Sequence, residues 1–236
     1  MPLFESDEVL ALAKPPGVSM ATGSRAGKSE EDVIARLLAS SGLTRAGPLF
    51  LVHRLDVGTS GVVLLARTPE AHRTLSRAFQ ERKAVKTYRA LVWGHPVPAR
   101  GRINLPLARD AKDGRKMRVA KEGKPSATRY ETVRRYRSLA DLSLEPETGR
   151  THQIRVHLAA KGHPVVGDDL YGGSARWRGV RESRLREALR AVSHPLLHAA
   201  RIAVPGLALD VAAPLPPDYG TLLDLLAEPG SRGEAE

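Results

Sequence analysis

Strand-like and helix-like segments follow one another irregularly along this chain, and no linker rich in Pro, Gly or Ser separates them before the tail. Strict alternation of strand and helix would call for a parallel sheet, so its absence points to an α+β domain. Residues 9–13 read as a strand running into the rigid turn Pro15-Pro16-Gly17. Ser29-Glu30-Glu31-Asp32 is a capping box that opens a helix through Leu37 and Leu38 and ends before Gly42. Residues 62–66 have the composition of a buried strand. Thr68-Pro69-Glu70 then supplies an N-cap, an N1 proline and an acidic first turn, with Leu75 and Phe79 as the apolar face at i, i+4. Further strands are expected at residues 86–93, 139–144, 194–205 and 207–212, and a hairpin or a polar, basic loop facing a ligand at 110–125. Thr151 is a natural N-cap for a helix ending at Gly162, before Pro164, and a second amphipathic helix spans 185–192 on Leu185, Leu189 and Val192. Residues 1–227 are expected to form one domain, and 228–236, rich in Gly, Glu and Ser, a disordered tail.

Composition narrows the chemistry. A hydrophobic content of 42% suffices for a substantial core, and a net charge of +11 attracts polyanions such as RNA, DNA or anionic lipid. No apolar run is long enough to span a membrane, and Glu5, Asp7 and Glu8 replace the basic head of a signal peptide, so a cytoplasmic protein is expected. The chain has no cysteine, which excludes disulfides, thiolate metal sites and thiol nucleophiles. No Gly-rich fingerprint for a dinucleotide or methyl donor is present. Carboxylate chemistry without a cofactor remains.

His53-Arg54-Leu55-Asp56-Val57-Gly58-Thr59-Ser60-Gly61 places one carboxylate between a guanidinium and a glycine-flanked turn. A nearby cation favours the ionised form, and Gly58 and Gly61 give backbone freedom for close approach of a substrate. The same residues also fit a plain Arg-x-Asp turn capped by Thr59 and Ser60. Ser60 and His53 lack the context of a nucleophile elbow. His194 and His198 are spaced i, i+4, but Pro195 intervenes and no third ligand is indicated; His152 and His157 fare no better, so no metal site is expected.

The string His-Arg-Leu-Asp-x-x-Thr-Ser-Gly resembles the signature of the RluA-type RNA pseudouridine synthases. Three more segments agree in the family's order: Lys14-Pro15-Pro16-Gly17, Lys86-Thr87-Tyr88, and Gly149 through His157 followed by Gly162 through Asp168. The resemblance implies a large mixed, mainly antiparallel sheet with flanking helices and a central catalytic cleft. It implies isomerisation of uridine in structured RNA, an rRNA or tRNA stem-loop, with no cofactor and no obligatory protein partner. Asp56 takes the place of the catalytic carboxylate. Arg155 takes that of the basic residue aimed at it, and Tyr88 that of the tyrosine lying against the uracil.

A uridine inside folded RNA must be flipped out, and Arg54 is the candidate to brace the vacancy. Arg150, His152 and Gln153, at a helix N-terminus, suit either phosphate or sugar oxygens or capping and local packing, while Lys14 suits either the RNA cleft or the local backbone. Six arginines between residues 176 and 190, beside Trp177 and against Glu182 and Glu187, form either a solvated face with Glu182 and Arg186 paired or an RNA contact through Arg181 and Arg184. The chain begins almost directly with the catalytic domain, so selection of the target is expected to rest on that domain rather than on an S4-like one. The alternative, a catalytically silent RNA-binding or RNA-remodelling protein, would lack Asp56, Tyr88 or Arg155, all of which are present. A DNA-binding protein would want a helix-turn-helix or basic arm, and neither is identifiable.

Overall fold

The computed structural model describes residues 1–23, 27–44 and 47–228, so the expected tail lies, Glu228 apart, outside the described residues. In chain order the elements are β1 (Phe4–Glu5), β2 (Val9–Lys14), α1 (Glu30–Ser40), β3 (Phe50–Leu51), β4 (Ser60–Ala66), α2 (Pro69–Gln80), β5 (Val85–Trp93), β6 (Arg100–Asn104), β7 (Leu107–Arg109), β8 (Met117–Val119), β9 (Ala127–Arg135), β10 (Leu139–Pro146), α3 (Gln153–Ala160), α4 (Ser183–Ala191), β11 (Leu197–Val204), β12 (Leu209–Ala212) and α5 (Pro217–Ala227). Ten strands belong to one large sheet, and β7 with β8 forms a separate two-stranded ribbon, which makes the expected α+β class the observed one. The chain divides into two compact units, Met1–Lys86 with Ala199–Pro214, and Thr87–His198 with the chain from Leu215 on.

In the first unit β1, β2 and β4 are successive antiparallel neighbours, β3 also pairs with β4, and β12 pairs with the end of β11. All seven residues of β4 are buried. Its core joins Val62, Leu64, Leu75, Ile202 and Val211, with Phe79 packed against them. Both helices start as their local sequence dictates. The Ser29 hydroxyl accepts the Asp32 N–H at 3.1 Å while the Asp32 carboxylate accepts the Ser29 N–H at 2.8 Å, and Thr68 Oγ1 accepts the Ala71 N–H at 3.1 Å.

In the second unit β5, β10, β9 and β6 are antiparallel neighbours in that order. Ala90, Leu142, Ile154, Leu158 and Val165 share one core cluster, and Leu91, Leu189, Tyr219 and Leu226 another. The latter holds α5, which the double proline at 216 and 217 conceals in sequence although proline suits the first helical position. The buried Tyr219 hydroxyl donates to Asp141 Oδ1 at 2.8 Å, and Arg89 Nε donates to the same atom at 3.1 Å. Strands β6 and β9 were not expected either.

Two helix starts differ from expectation. α3 begins at Gln153, capped by His152 in the left-handed region (φ 55°) rather than by Thr151. Gln153 Oε1 accepts the Arg150 N–H at 3.1 Å, so a side chain inside the helix does the work expected of the Thr151 hydroxyl. α4 begins at Ser183, because the Glu182 carboxylate accepts the Leu185 N–H at 3.3 Å; Val192 already lies beyond its end.

Candidate active site

Asp56 sits on the short loop leading into β4, partly buried, with Arg54 exposed beside it. The loop is held from below. Lys14, at the end of β2 and only 1% exposed, donates from Nζ to the carbonyls of Pro15 (3.0 Å), Val18 (3.0 Å) and Val57 (3.1 Å). An ammonium has three donors, so these three bonds use them all. Val57 O also accepts the Gly17 N–H at 2.8 Å, which ties the Pro-Pro-Gly turn to the residue after Asp56. Burial pulls the Lys14 pKa down to about 8, against the raising pull of the Asp56 charge. Lys14 is therefore a clamp on the aspartate loop, the backbone role of the two expected for it, rather than an RNA contact.

The remaining motif residues build the same loop. Leu64 N–H donates to His53 Nε2 at 3.0 Å, and the ring stacks on Phe79 with centroids 4.7 Å apart. Burial, with Lys86 nearby, pulls the His53 pKa down to about 3, so the imidazole is neutral and structural at any working pH. Gly61, at φ 118°, passes so close to Ala199 that a Cβ would lie 2.2 Å from its carbonyl oxygen. Its freedom serves a close approach of backbone to backbone, where the sequence suggested approach of a substrate. The Thr59 hydroxyl is buried with no hydrogen-bond partner among the described residues.

In the second unit Arg155 projects from α3 and is almost fully buried. Nε and Nη2 donate to the two oxygens of the wholly buried Asp168 at 2.7 and 2.8 Å, a two-pronged contact that fixes the guanidinium plane. Asp168 is a partner the sequence did not assign to this fork. Asp168 Oδ1 accepts the N–H groups of Leu170 (3.1 Å) and Tyr171 (3.2 Å) as well, so the carboxylate is itself well satisfied. The guanidinium lies over the Tyr171 ring, 5.0 Å from its centroid. Tyr171 was not singled out from sequence, and Asp168 only as the last residue of the Gly162 through Asp168 segment, which was the available signal for it. Tyr88, on β5 opposite Leu144, is partly buried and packs against the cluster that holds Ile154.

Gln153 takes the capping and packing role of the two expected for it. It is 4% exposed, its oxygen accepts from Thr148 Oγ1 (2.6 Å) and the Arg150 N–H, and its nitrogen donates to Ala127 O (2.9 Å) and Thr128 Oγ1 (3.0 Å). With acceptor and donors all committed inside the protein, it ties α3 to β9 and cannot serve RNA. Arg150 stays partly exposed, its Nε 3.4 Å from Pro125 O. His152 Nδ1 lies 2.8 Å from the Tyr171 hydroxyl.

The arginine-rich segment is more occupied than its sequence suggests. Arg178 and Arg190 flank the Trp177 ring at 5.4 and 5.7 Å, Arg176 donates to Gly172 O, and Arg186 to Val180 O. Glu182 caps α4, where pairing with Arg186 was one expectation. Arg184 is exposed but pairs with Glu228 at 3.1 Å, which leaves Arg181 as the one of the six with no partner among the described residues. His194 Nε2 lies 2.8 Å from Asp218, and among the described residues no three His, Asp or Glu side chains cluster as a metal would need. No helix among the described residues is long and apolar enough to cross a membrane.

A buried Arg–Asp fork, a clamped aspartate loop and a strand tyrosine are compatible with several chemistries; comparison with known proteins decides among them. A family model described as RNA pseudouridylate synthase matches residues 8–160. The chain belongs to the RNA pseudouridine synthase family. Members of this family are isomerases acting on RNA. The dual-specificity RNA pseudouridine synthase RluA of Escherichia coli K12 is 37% identical over 195 residues, covering 82% of this chain and 86% of its own. The ribosomal large subunit pseudouridine synthase D of Pasteurella multocida is 37% identical over 232 residues, covering 95% and 70%. Among solved structures, human RNA pseudouridylate synthase domain containing 4 superimposes with a TM-score of 0.74 at 26% identity, over 95% of this chain and 92% of that one.

Proposed function

We propose that this pseudouridine synthase isomerises specific uridines in rRNA, tRNA or both, acting in the cytoplasm on a flipped-out base in a stem-loop. The observation that carries the reading is the intact His53-Arg54-Leu55-Asp56 string in a member of the family, on a loop braced by a buried lysine that donates to three backbone carbonyls. In the reaction the N1–C1′ bond breaks, the C5–C1′ bond forms, and the proton lost from C5 is balanced by the one N1 gains. Nothing is oxidised and no group enters or leaves. Asp56 is the carboxylate proposed to meet the electron-poor intermediate, whether by attack at C1′, by addition to C6 or by assisting a glycal-type elimination. Tyr88 is proposed to lie against the uracil and to help remove the C5 proton, and Arg155 to offset the charge of the reacting carboxylate. Arg54 is proposed to brace the vacated stack, and Arg150, His152 and Arg181 to contact RNA backbone. The relative named for the large ribosomal subunit supports rRNA as a substrate class, and the one named for dual specificity supports more than one kind of RNA target. Mapping pseudouridine in total RNA from cells with and without the gene tests this: specific positions should lose the modification, and an unchanged map would contradict it.

A further inference from the structure

The ribbon of β7 and β8, with the loops around it from residue 107 to 124, carries seven basic side chains against three acidic ones. Arg115 pairs with Asp113, where the Lys116 charge is also felt, and Arg118 with Glu122, whereas Lys112, Lys121 and Lys124 have no ion pair among the described residues. Such a surface suits phosphate. One hydroxyl joins the ribbon to the rest of the site. The N–H of Met117, the first residue of β8, donates to the Tyr171 hydroxyl at 2.9 Å, and the same oxygen lies 2.8 Å from His152 Nδ1, to which it can pass its own proton as donor. The Tyr171 ring lies beneath the Arg155 guanidinium, its own N–H is held by Asp168, and Asp168 holds Arg155. His152 keeps a left-handed backbone (φ 55°) that a non-glycine residue adopts only where its surroundings impose it. One tyrosine thus touches the basic ribbon, the strained cap of α3, and the buried Arg155–Asp168 pair.

We infer that Tyr171 is a positioning residue that latches the basic ribbon to the Arg155–Asp168 pair, so that RNA held on the ribbon and the orientation of Arg155 are linked. The inference rests on the reading that this chain modifies RNA. Its ligand is the phosphate backbone of the substrate RNA, recognised by Lys112 and Lys116. The ring alone cannot form the latch, because the bond to β8 runs through the hydroxyl. Tyr171→Phe therefore separates the latch from the packing under Arg155.

Tyr171→Phe should raise the hydrogen-exchange rate of the Met117 amide about tenfold, the scale of one lost hydrogen bond, with cooperative unfolding retained. In single turnover at saturating stem-loop RNA, Lys112→Gln with Lys116→Gln should slow the wild-type enzyme several-fold. The same two changes should have no further effect in the Tyr171→Phe background, because the link is already cut. Effects that simply multiply, or an unchanged Met117 amide in Tyr171→Phe, would overturn the inference. If the wild-type protein converts no uridine at all, the functional reading fails, and the Met117 exchange measurement still decides whether the latch exists.

Discussion

Lys14 shows how a single side chain can set stability and function against one another. Its pKa of about 8 in the folded chain compares with 10.5 for a free lysine, so between those values the unfolded chain binds a proton that the folded chain does not. This group's contribution to stability therefore rises with pH across that window. Function should move the other way: the neutral amine has two protons for three carbonyls, and the loop carrying Asp56 loses a tie. The single-turnover rate is expected to fall above pH 8 in the wild type and to lack that limb in Lys14→Met; a limb that persists in the variant would remove Lys14 from this role. Arg155→Lys tests the fork. A lysine keeps the charge but meets the buried Asp168 at one point, and disrupting a buried pair costs several kcal/mol, so a loss of about 2 kcal/mol or more is expected in urea unfolding together with slower turnover. An unchanged midpoint and rate would mean that the two-pronged geometry is dispensable.

The elements legible in sequence were those whose signals are local. Ser29 with Asp32, and Thr68 with Pro69, announce α1 and α2 because each cap is complete within four residues. β4 is legible because every residue is apolar or small. β9 is not, since Arg129, Glu131, Arg134 and Arg135 dilute any alternation and the strand exists because β10 and β6 pair with it on either side. α5 was hidden behind its prolines, and its hold on the sheet depends on Asp141, far away in sequence. At the site, Asp56 was legible through its string of neighbours. Lys14 was legible only as a choice between cleft and backbone, because three carbonyls converge on it only once the chain has folded, and the bonds of Gln153 and Asp168 form only then too. Tyr219→Phe tests the α5 anchor: a hydrogen bond to a charged group contributes about 1.5–3 kcal/mol, so unfolding in urea should show a loss of that order. Asp141→Ala should cost more, because it also strands the Arg89 guanidinium. Equal, negligible losses would contradict the anchoring role.

A net charge of +11 gives the protein an attraction for RNA that no single contact accounts for, and salt should weaken it. The structure ranks the cations of the arginine-rich segment. Arg181 has no partner among the described residues, while Arg184 already faces Glu228. Replacing Arg181 with Gln is expected to reduce the slope of log affinity against log salt by about 0.7, the value for one phosphate on single-stranded RNA. Arg184→Gln should change it less, and an unchanged slope in both would return the segment to a solvated face. The measurement that bears hardest on the assignment is the Asp56→Asn variant, which keeps the shape of the side chain and removes its reactive charge. In a single-turnover assay on stem-loop RNA, with binding followed in parallel, it should form no pseudouridine while retaining near wild-type affinity. Pseudouridine formed at a near-normal rate by Asp56→Asn would contradict the account.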